Sequence, residues 1–258
     1  MGEKQETILP SSTSNKEMAN EFSEFFINKV TTIRDGLRKI TTFNIETSLS
    51  VDIHFSGDPL MSFRHTTEDE VRAILGKAPN KACELDPIPT SILKKTLSAV
   101  VPFITNIINV SFDQSEVPSV FKEALVRPLL KKSGLDKEVY KNYRPVSNLP
   151  FISKILEKVV ANRLDEHLDK NLLRDSLQSA YRQQHSTETA LLRVNHDIME
   201  ALDNQSSAVM VLLDLSAAFD VIDHTILFQR LETTYGIHGK SLAWIKSYLT
   251  NRHQRVVI

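Results

Sequence analysis

Apolar positions repeat with a helical period through the first part of the chain, and short extended runs join them after about residue 120. Met18, Phe22, Phe25, Phe26, Val30 and Ile33 fall on one stripe, and Ser14 with Glu17 forms a capping box at its head. Residues 1–14 before this helix read as a flexible lead-in. Residues 41–64, with Gly57 and Pro59, read as a linker. Thr67 and Glu70 make a second capping box ahead of Val71, Ile74 and Leu75, and Gly76 suits the stop. Prolines 79, 87 and 89 punctuate the next stretch. "IPTSILKKTLSAVVPFITNIINVSF" (88–112) then predicts two apolar-faced helices, with Pro102 near the start of the second.

Beyond residue 120, "EALVRPLLKK" (123–132) and "YRPVSNL" (143–149) predict two strands around a polar turn, a basic hairpin. Pro128 and Pro145 suit edge positions, where a missing N–H is tolerated. Ile152, Ile155, Leu156, Val159, Val160 and Leu164 predict a helix headed by Pro150. A further helix spans roughly 187–203. "AVMVLLDL" (208–215) predicts a buried strand. Helices near 225–235 and 240–250 follow, with Gly236 between them, and "QRVVI" (254–258) starts a strand. The expected class is α+β in three parts: a lead-in, helix and linker over 1–65, a helical extension over 66–119, and a mixed domain over 120–258.

Composition narrows the function classes. The chain is 41% hydrophobic and 24% charged, an ordinary globular balance. No run reaches the ~18 apolar residues of a membrane span, and the polar start lacks the apolar core of a signal peptide. Cys83 is the sole cysteine, which excludes an internal disulfide and a multi-cysteine zinc site. Net charge is −1, yet residues 120–163 carry ten Lys/Arg against four acids. Such a stretch is either a solvated face or a phosphate-binding surface.

The candidate chemistry sits in "VLLDLSAAFDVIDH" (211–224), where an apolar run ends on Asp214 and small residues, Phe219, Asp220 and Asp223 follow. Hard divalent ions bind through one or two carboxylates plus substrate phosphates, but a lone Asp after a strand is more often a helix cap. Phe219 read alone is more often a core aromatic. A metal-dependent nuclease using Asp214, Asp220 and Asp223 would need a His/Asp/Glu cluster at ligand spacing, and none accompanies them. Phosphate-binding glycine patterns are absent as well.

Five further blocks, in order, change the weight of that motif: "KACELDPIPTSILKK" (81–95), "VPSVFKEALVRPLLKK" (117–132), "NYRPVSNLPFISKILEKVV" (142–160), "QSAYRQQHSTETALL" (178–192) and "GIHGKSLAWIKSYLTNRHQRV" (236–256). Together with "EFSEFFINKVTTIRD" (21–35), they resemble the reverse transcriptases of non-LTR (LINE-type) retrotransposons of the jockey-like group. The resemblance implies a partial right-hand polymerase, fingers plus an incomplete palm, behind a helical N-terminal extension. It implies Asp214 as the catalytic, metal-binding aspartate, with the Leu215 backbone carbonyl as a second metal contact. Phe219 is implied as the steric gate against a ribose 2′-OH, and Arg144 and Lys131 as grips on the incoming triphosphate. Lys132 and Arg182 are implied as weaker nucleic-acid contacts. Asp223 reads instead as a cap for the helix near 225, and His224 as a surface or capping residue.

The implied cofactor is Mg²⁺, with Mn²⁺ as a substitute, and the implied partners are template RNA, primer DNA and a dNTP, with no membrane. The implied setting is intracellular, in the nucleus or cytoplasm as a ribonucleoprotein. A two-metal site needs a second carboxylate pair, and no Asp-Asp dipeptide occurs in the 258 residues. The expectation is a truncated, catalytically incomplete reverse transcriptase fragment. The alternative is a non-catalytic nucleic-acid-binding remnant.

Overall fold

The computed structural model describes residues 8–11, 14–41, 55–80, 83–215 and 217–258. Most of the expected lead-in, the 42–54 part of the expected linker, and Ser216 lie outside them.

Helix α1 (Asn15–Thr41) starts where the capping pattern places it, with the Glu17 N–H donating to Ser14 Oγ at 3.2 Å. Its stripe buries Met18, Phe22 and Phe26 against Val126 and Tyr143, which belong to the hairpin formed by β1 (Glu123–Leu130) and β2 (Tyr143–Asn148). Phe22 is fully buried and meets Tyr140 and Tyr143 edge-on, with ring centroids at 4.6 and 4.9 Å. Such contacts add about 0.5–1.5 kcal/mol each beyond area burial.

The sheet has the order β2-β1-β3. Strand β3 (His253–Val256) runs parallel to β1 and covers only Glu123 to Val126. Pro128 and Pro145 face each other across the hairpin. The Lys131 N–H donates to Asn142 O at 2.9 Å, so 131/142 is a hydrogen-bonded pair, and alternation makes 128/145 a non-bonded one. Neither proline therefore removes a rung between β1 and β2. On its other side, β1 loses its neighbour after Val126, before the missing Pro128 N–H would matter.

The larger core gathers α2 (Glu68–Lys77), α3 (Thr90–Lys95), α4 (Leu97–Gln114), α5 (Phe151–Lys170) and α8 (Gly239–Leu249) around Val71, Leu75, Ile104, Ile108, Leu156, Val159 and Trp244. Trp244 Nε1–H donates to Ser111 Oγ at 2.9 Å, which satisfies the one polar atom of a buried indole. Pro102 stands at the sixth residue of α4, inside the helix, not at its mouth.

Arg163 of α5 is 3% exposed and holds Glu70 through two contacts, Nη1–Oε1 at 2.8 Å and Nη2–Oε2 at 2.5 Å. Its Nε and Nη2 also donate to the carbonyls of Arg64 and His65. The guanidinium, helped by Thr66, holds the Glu70 carboxyl down at about 2 against the cost of burial. The Thr67 side chain caps α2 as expected, by accepting from the Glu70 N–H. The Glu70 carboxylate itself is turned to Arg163 and Thr66.

Three expectations are corrected. Residues 208–215 form no strand and are solvent-exposed, Leu212 by 82% and Leu213 by 90%. An apolar strand is buried only when neighbours cover its faces, and among the described residues no strand pairs with it. Within the expected linker, residues 55–64 are packed: Leu60 bridges Ile237 and Phe63 is 5% exposed in the main core. Gly76 does not end α2, which runs one residue further to Lys77. Gly236 separates α7 (His224–Thr233) from α8 as expected, at φ +63° with the Phe55 ring where a Cβ would stand. Helix α6 (Thr187–Asp203) begins with a capping box between Ser186 and Thr189 and buries none of its side chains.

Candidate nucleic-acid and nucleotide interface

The hairpin sets the first group of candidate residues at its tip. The backbone bond of Lys131 to Asn142 closes the ladder, and Lys131 Nζ donates to the Lys141 carbonyl at 2.7 Å. Arg144 Nη2 donates to the Lys131 carbonyl at 3.2 Å. The two cations are therefore neighbours, and like Lys132 they are exposed and form no ion pair among the described residues. Arg127, further down β1, differs in being paired with Glu84. Unpaired cations on a rigid two-stranded base suit phosphate, since no acid must be displaced first.

Behind the tip, Tyr143 lies 1% exposed, with its hydroxyl 3.1 Å from Ile8 O and 3.0 Å from Lys137 O. Burial, then Glu138 and Asp136, push its phenol up. Tyr140 donates to the Glu21 carboxylate, and that bond raises its phenol to about 12. Both phenols therefore remain neutral hydrogen-bond donors that lock α1 and the lead-in to the hairpin.

The second group surrounds residues 217–223. Ala217 takes φ +53°, and the Asp220 N–H donates to its carbonyl at 2.9 Å, closing a turn that leaves Phe219 72% exposed. Exposure rules out the core-aromatic reading of Phe219. Its ring meets Tyr181 edge-on at 6.1 Å. Arg182, beside Tyr181, donates to the carbonyls of Asp175 and Gln178, so its guanidinium braces its own loop. Asp223 caps α7, accepting from the Thr225 and Ile226 N–H groups, and those bonds hold its carboxyl below the usual range.

A residue of α1 reaches the second group. Arg34 of α1 donates through Nη2 to the carbonyls of Asp220 and Ile222, each at 3.2 Å. With Val30, Pro145, Gln254 and Asp220 it lines a cleft of about 340 Å³. Pro145 lines this cleft from the face of β2 that packs on α1, whereas strand alternation sends Arg144 to the opposite face with Leu129, so the cleft joins α1, the hairpin and the Asp220 turn without including Arg144 or Phe219. Sequence reasoning missed Arg34 because 186 residues separate it from its first partner. Tyr181 was visible only as one aromatic in a polar block.

Asp214 is exposed, as is Leu215 beside it. Among the described residues no group of three or more His, Cys, Asp or Glu could hold a metal ion. One exposed carboxylate and one carbonyl do not make a Mg²⁺ site on their own.

A family model for reverse transcriptase (RNA-dependent DNA polymerase) matches residues 130–257. That segment is a reverse transcriptase domain. It starts on the last residue of β1 and takes in the hairpin tip, the Phe219 turn and β3. Similar proteins extend the likeness upstream. A probable RNA-directed DNA polymerase from transposon BS of Drosophila melanogaster is 27% identical over 212 residues, covering 82% of this chain and 22% of that protein. The RNA-directed DNA polymerase from mobile element jockey of the same fly is 29% identical over 187 residues, covering 72% and 20%. The probable polymerase from its transposon X-element is 28% identical over 194 residues, covering 75% and 21%. The matched part of the chain thus spans about a fifth of the length of these relatives. The reverse transcriptase domain is of the non-LTR retrotransposon kind. Among the described residues, no helix is long and apolar enough to cross a membrane.

Proposed function

We propose that this chain carries the nucleic-acid and nucleotide grip of an RNA-directed DNA polymerase and lacks the means to polymerise by itself. The observation that carries the reading is the hairpin tip, where Lys131, Lys132 and Arg144 stand exposed and form no ion pair among the described residues. In this reading Arg144 and Lys131 take the triphosphate of a dNTP. Phe219 leaves no room for a ribose 2′-OH, the one group that separates RNA from DNA precursors. Template RNA and primer DNA cross the same basic face, with Lys132 and Arg182 at its margin.

Asp214 and the Leu215 carbonyl supply half of a divalent-cation site for Mg²⁺ or Mn²⁺. The other half requires a carboxylate pair that the 258 residues do not contain as an Asp-Asp dipeptide. No step of the reaction is assigned to a metal here, because the donors present do not fit one alone. The exposure of Asp214 favours the non-catalytic reading of the isolated chain, a binding module without turnover.

The two halves of the proposal are tested together. The purified chain should bind a single-stranded RNA with strong salt dependence. Charge reversal at Lys131, Lys132 and Arg144 should flatten the slope of log K against log salt by about 0.7 per lost phosphate contact. It should extend no primer in Mg²⁺. Extension that disappears in Asp214→Ala would overturn the inactivity. RNA binding indifferent to the triple reversal would overturn the grip.

A further inference from the structure

Away from the hairpin tip, α2 and α5 enclose a groove of about 610 Å³. One wall is Ala73, Ile74, Lys77, Ala78 and Pro79. The other is a single stripe of α5, from Phe151 through Lys154, Ile155 and Lys158 to Asn162. That stripe spans twelve residues, about 16 Å or three helical turns. Lys77, Lys154 and Lys158 are exposed, and among the described residues no hydrogen bond or ion pair of their ammonium groups is found. The acid at the floor, Glu70, is committed to Arg163.

At the head of α5 the Phe151 N–H donates to Asp86 Oδ1 at 2.7 Å, while Asp86 Oδ2 is buried without a partner among the described residues. A buried orphan acceptor costs about 1–3 kcal/mol. The groove therefore combines an aliphatic floor and a cationic rim.

We propose that this groove docks an acidic amphipathic helix of a partner protein, about three turns long. Its apolar side chains would lie over Ala73, Ile74 and Ile155, and its carboxylates would meet Lys77, Lys154 and Lys158. The charge complementarity selects an acidic partner, and the length of the α5 stripe selects a helix that presents anchors at i, i+3, i+4 and i+7. A nucleic acid fits less well, because base stacking needs an exposed aromatic face. Among the described residues, Phe151 is the one aromatic lining the groove, and it is only 6% exposed. The site is separate from the hairpin grip and does not depend on the polymerase reading.

The test uses the full chain and a labelled synthetic helix with leucines on one face and glutamates flanking them, read by fluorescence anisotropy. Saturable binding should weaken at least tenfold in Lys154→Glu/Lys158→Glu and in Ala73→Trp, which fills the groove from an exposed position. Circular dichroism checks that both variants stay folded. A peptide of the same composition with scrambled order should bind at least tenfold more weakly. Equal binding of the scrambled peptide, or binding unchanged in both variants, overturns the proposal. So does a single-stranded RNA whose binding alone is lost in these variants.

Discussion

Replacing Arg163 by methionine tests the polar link that holds the helical core together. The guanidinium is 3% exposed and makes two short contacts with Glu70 plus bonds to two backbone carbonyls. Glu70 titrates at about 2 instead of 4.5, chiefly because Arg163 hydrogen-bonds its ionised form. At ~1.4 kcal/mol per unit that difference caps the pair at about 3 kcal/mol. Glu70 retains some solvent contact, so screening brings the expected value to about 1.5–2 kcal/mol.

Removing Arg163 also strands the Glu70 charge and two carbonyls, which raises the cost of Arg163→Met to about 3 kcal/mol. The single tryptophan, Trp244, is 2% exposed in the same core and reports unfolding directly. With a urea slope of about 3 kcal/mol per molar, the midpoint should fall by about 1 M. The pH sign follows from a carboxyl held low in the folded state. Its stabilisation is present above the unfolded value near 4.5 and fades as pH falls toward 2. Wild type should therefore lose about 1.5–2 kcal/mol over that window through this pair, and Arg163→Met should not. A loss below 1 kcal/mol for Arg163→Met, or strict additivity with Glu70→Gln, would refute the reasoning.

Other perturbations read separate parts of the structure. Glu21→Gln should bring the Tyr140 phenol from about 12 back toward its ordinary 10.0, seen by ultraviolet titration against Tyr140→Phe. Phe22→Ala should destabilise the α1–hairpin unit by about 3–4 kcal/mol, measured as faster amide exchange in both elements. Leu212→Lys/Leu213→Lys should leave the melting temperature within about 2 °C and reduce self-association in sedimentation, since surface changes rarely cost over ~0.5 kcal/mol. A large drop in melting temperature would mean that those side chains are buried. Arg34→Met should speed exchange of the Asp220 and Val221 amides, which close the turn on Ala217, while α5 keeps its protection.

Local pattern determined most of the elements. Ser186 caps α6 through reciprocal bonds with Thr189 without any tertiary help, and Asp223 placed the start of α7 through its own side-chain bonds. The ordered blocks carried the family, because motif order survives in a linear string. The basic hairpin was legible from two prolines, a polar turn and a run of Lys/Arg. The local pattern also held the candidate residues Lys131, Arg144, Asp214 and Phe219, but not their surroundings.

Those surroundings are tertiary. Whether "AVMVLLDL" is buried depends on strands that pair with it, and no feature of those eight residues encodes whether such neighbours exist. Phe63 and Leu60 looked like linker because their partners, Trp244 and Ile237, lie 181 and 177 residues away. Arg34 carries no local signal at all, since its role is defined by two carbonyls at the far end of the chain. Periodicity and capping act over a few residues and can be read directly. Burial, charge pairing and the meeting of the hairpin with the Phe219 turn depend on chain closure over more than a hundred residues, and only the folded structure decides them.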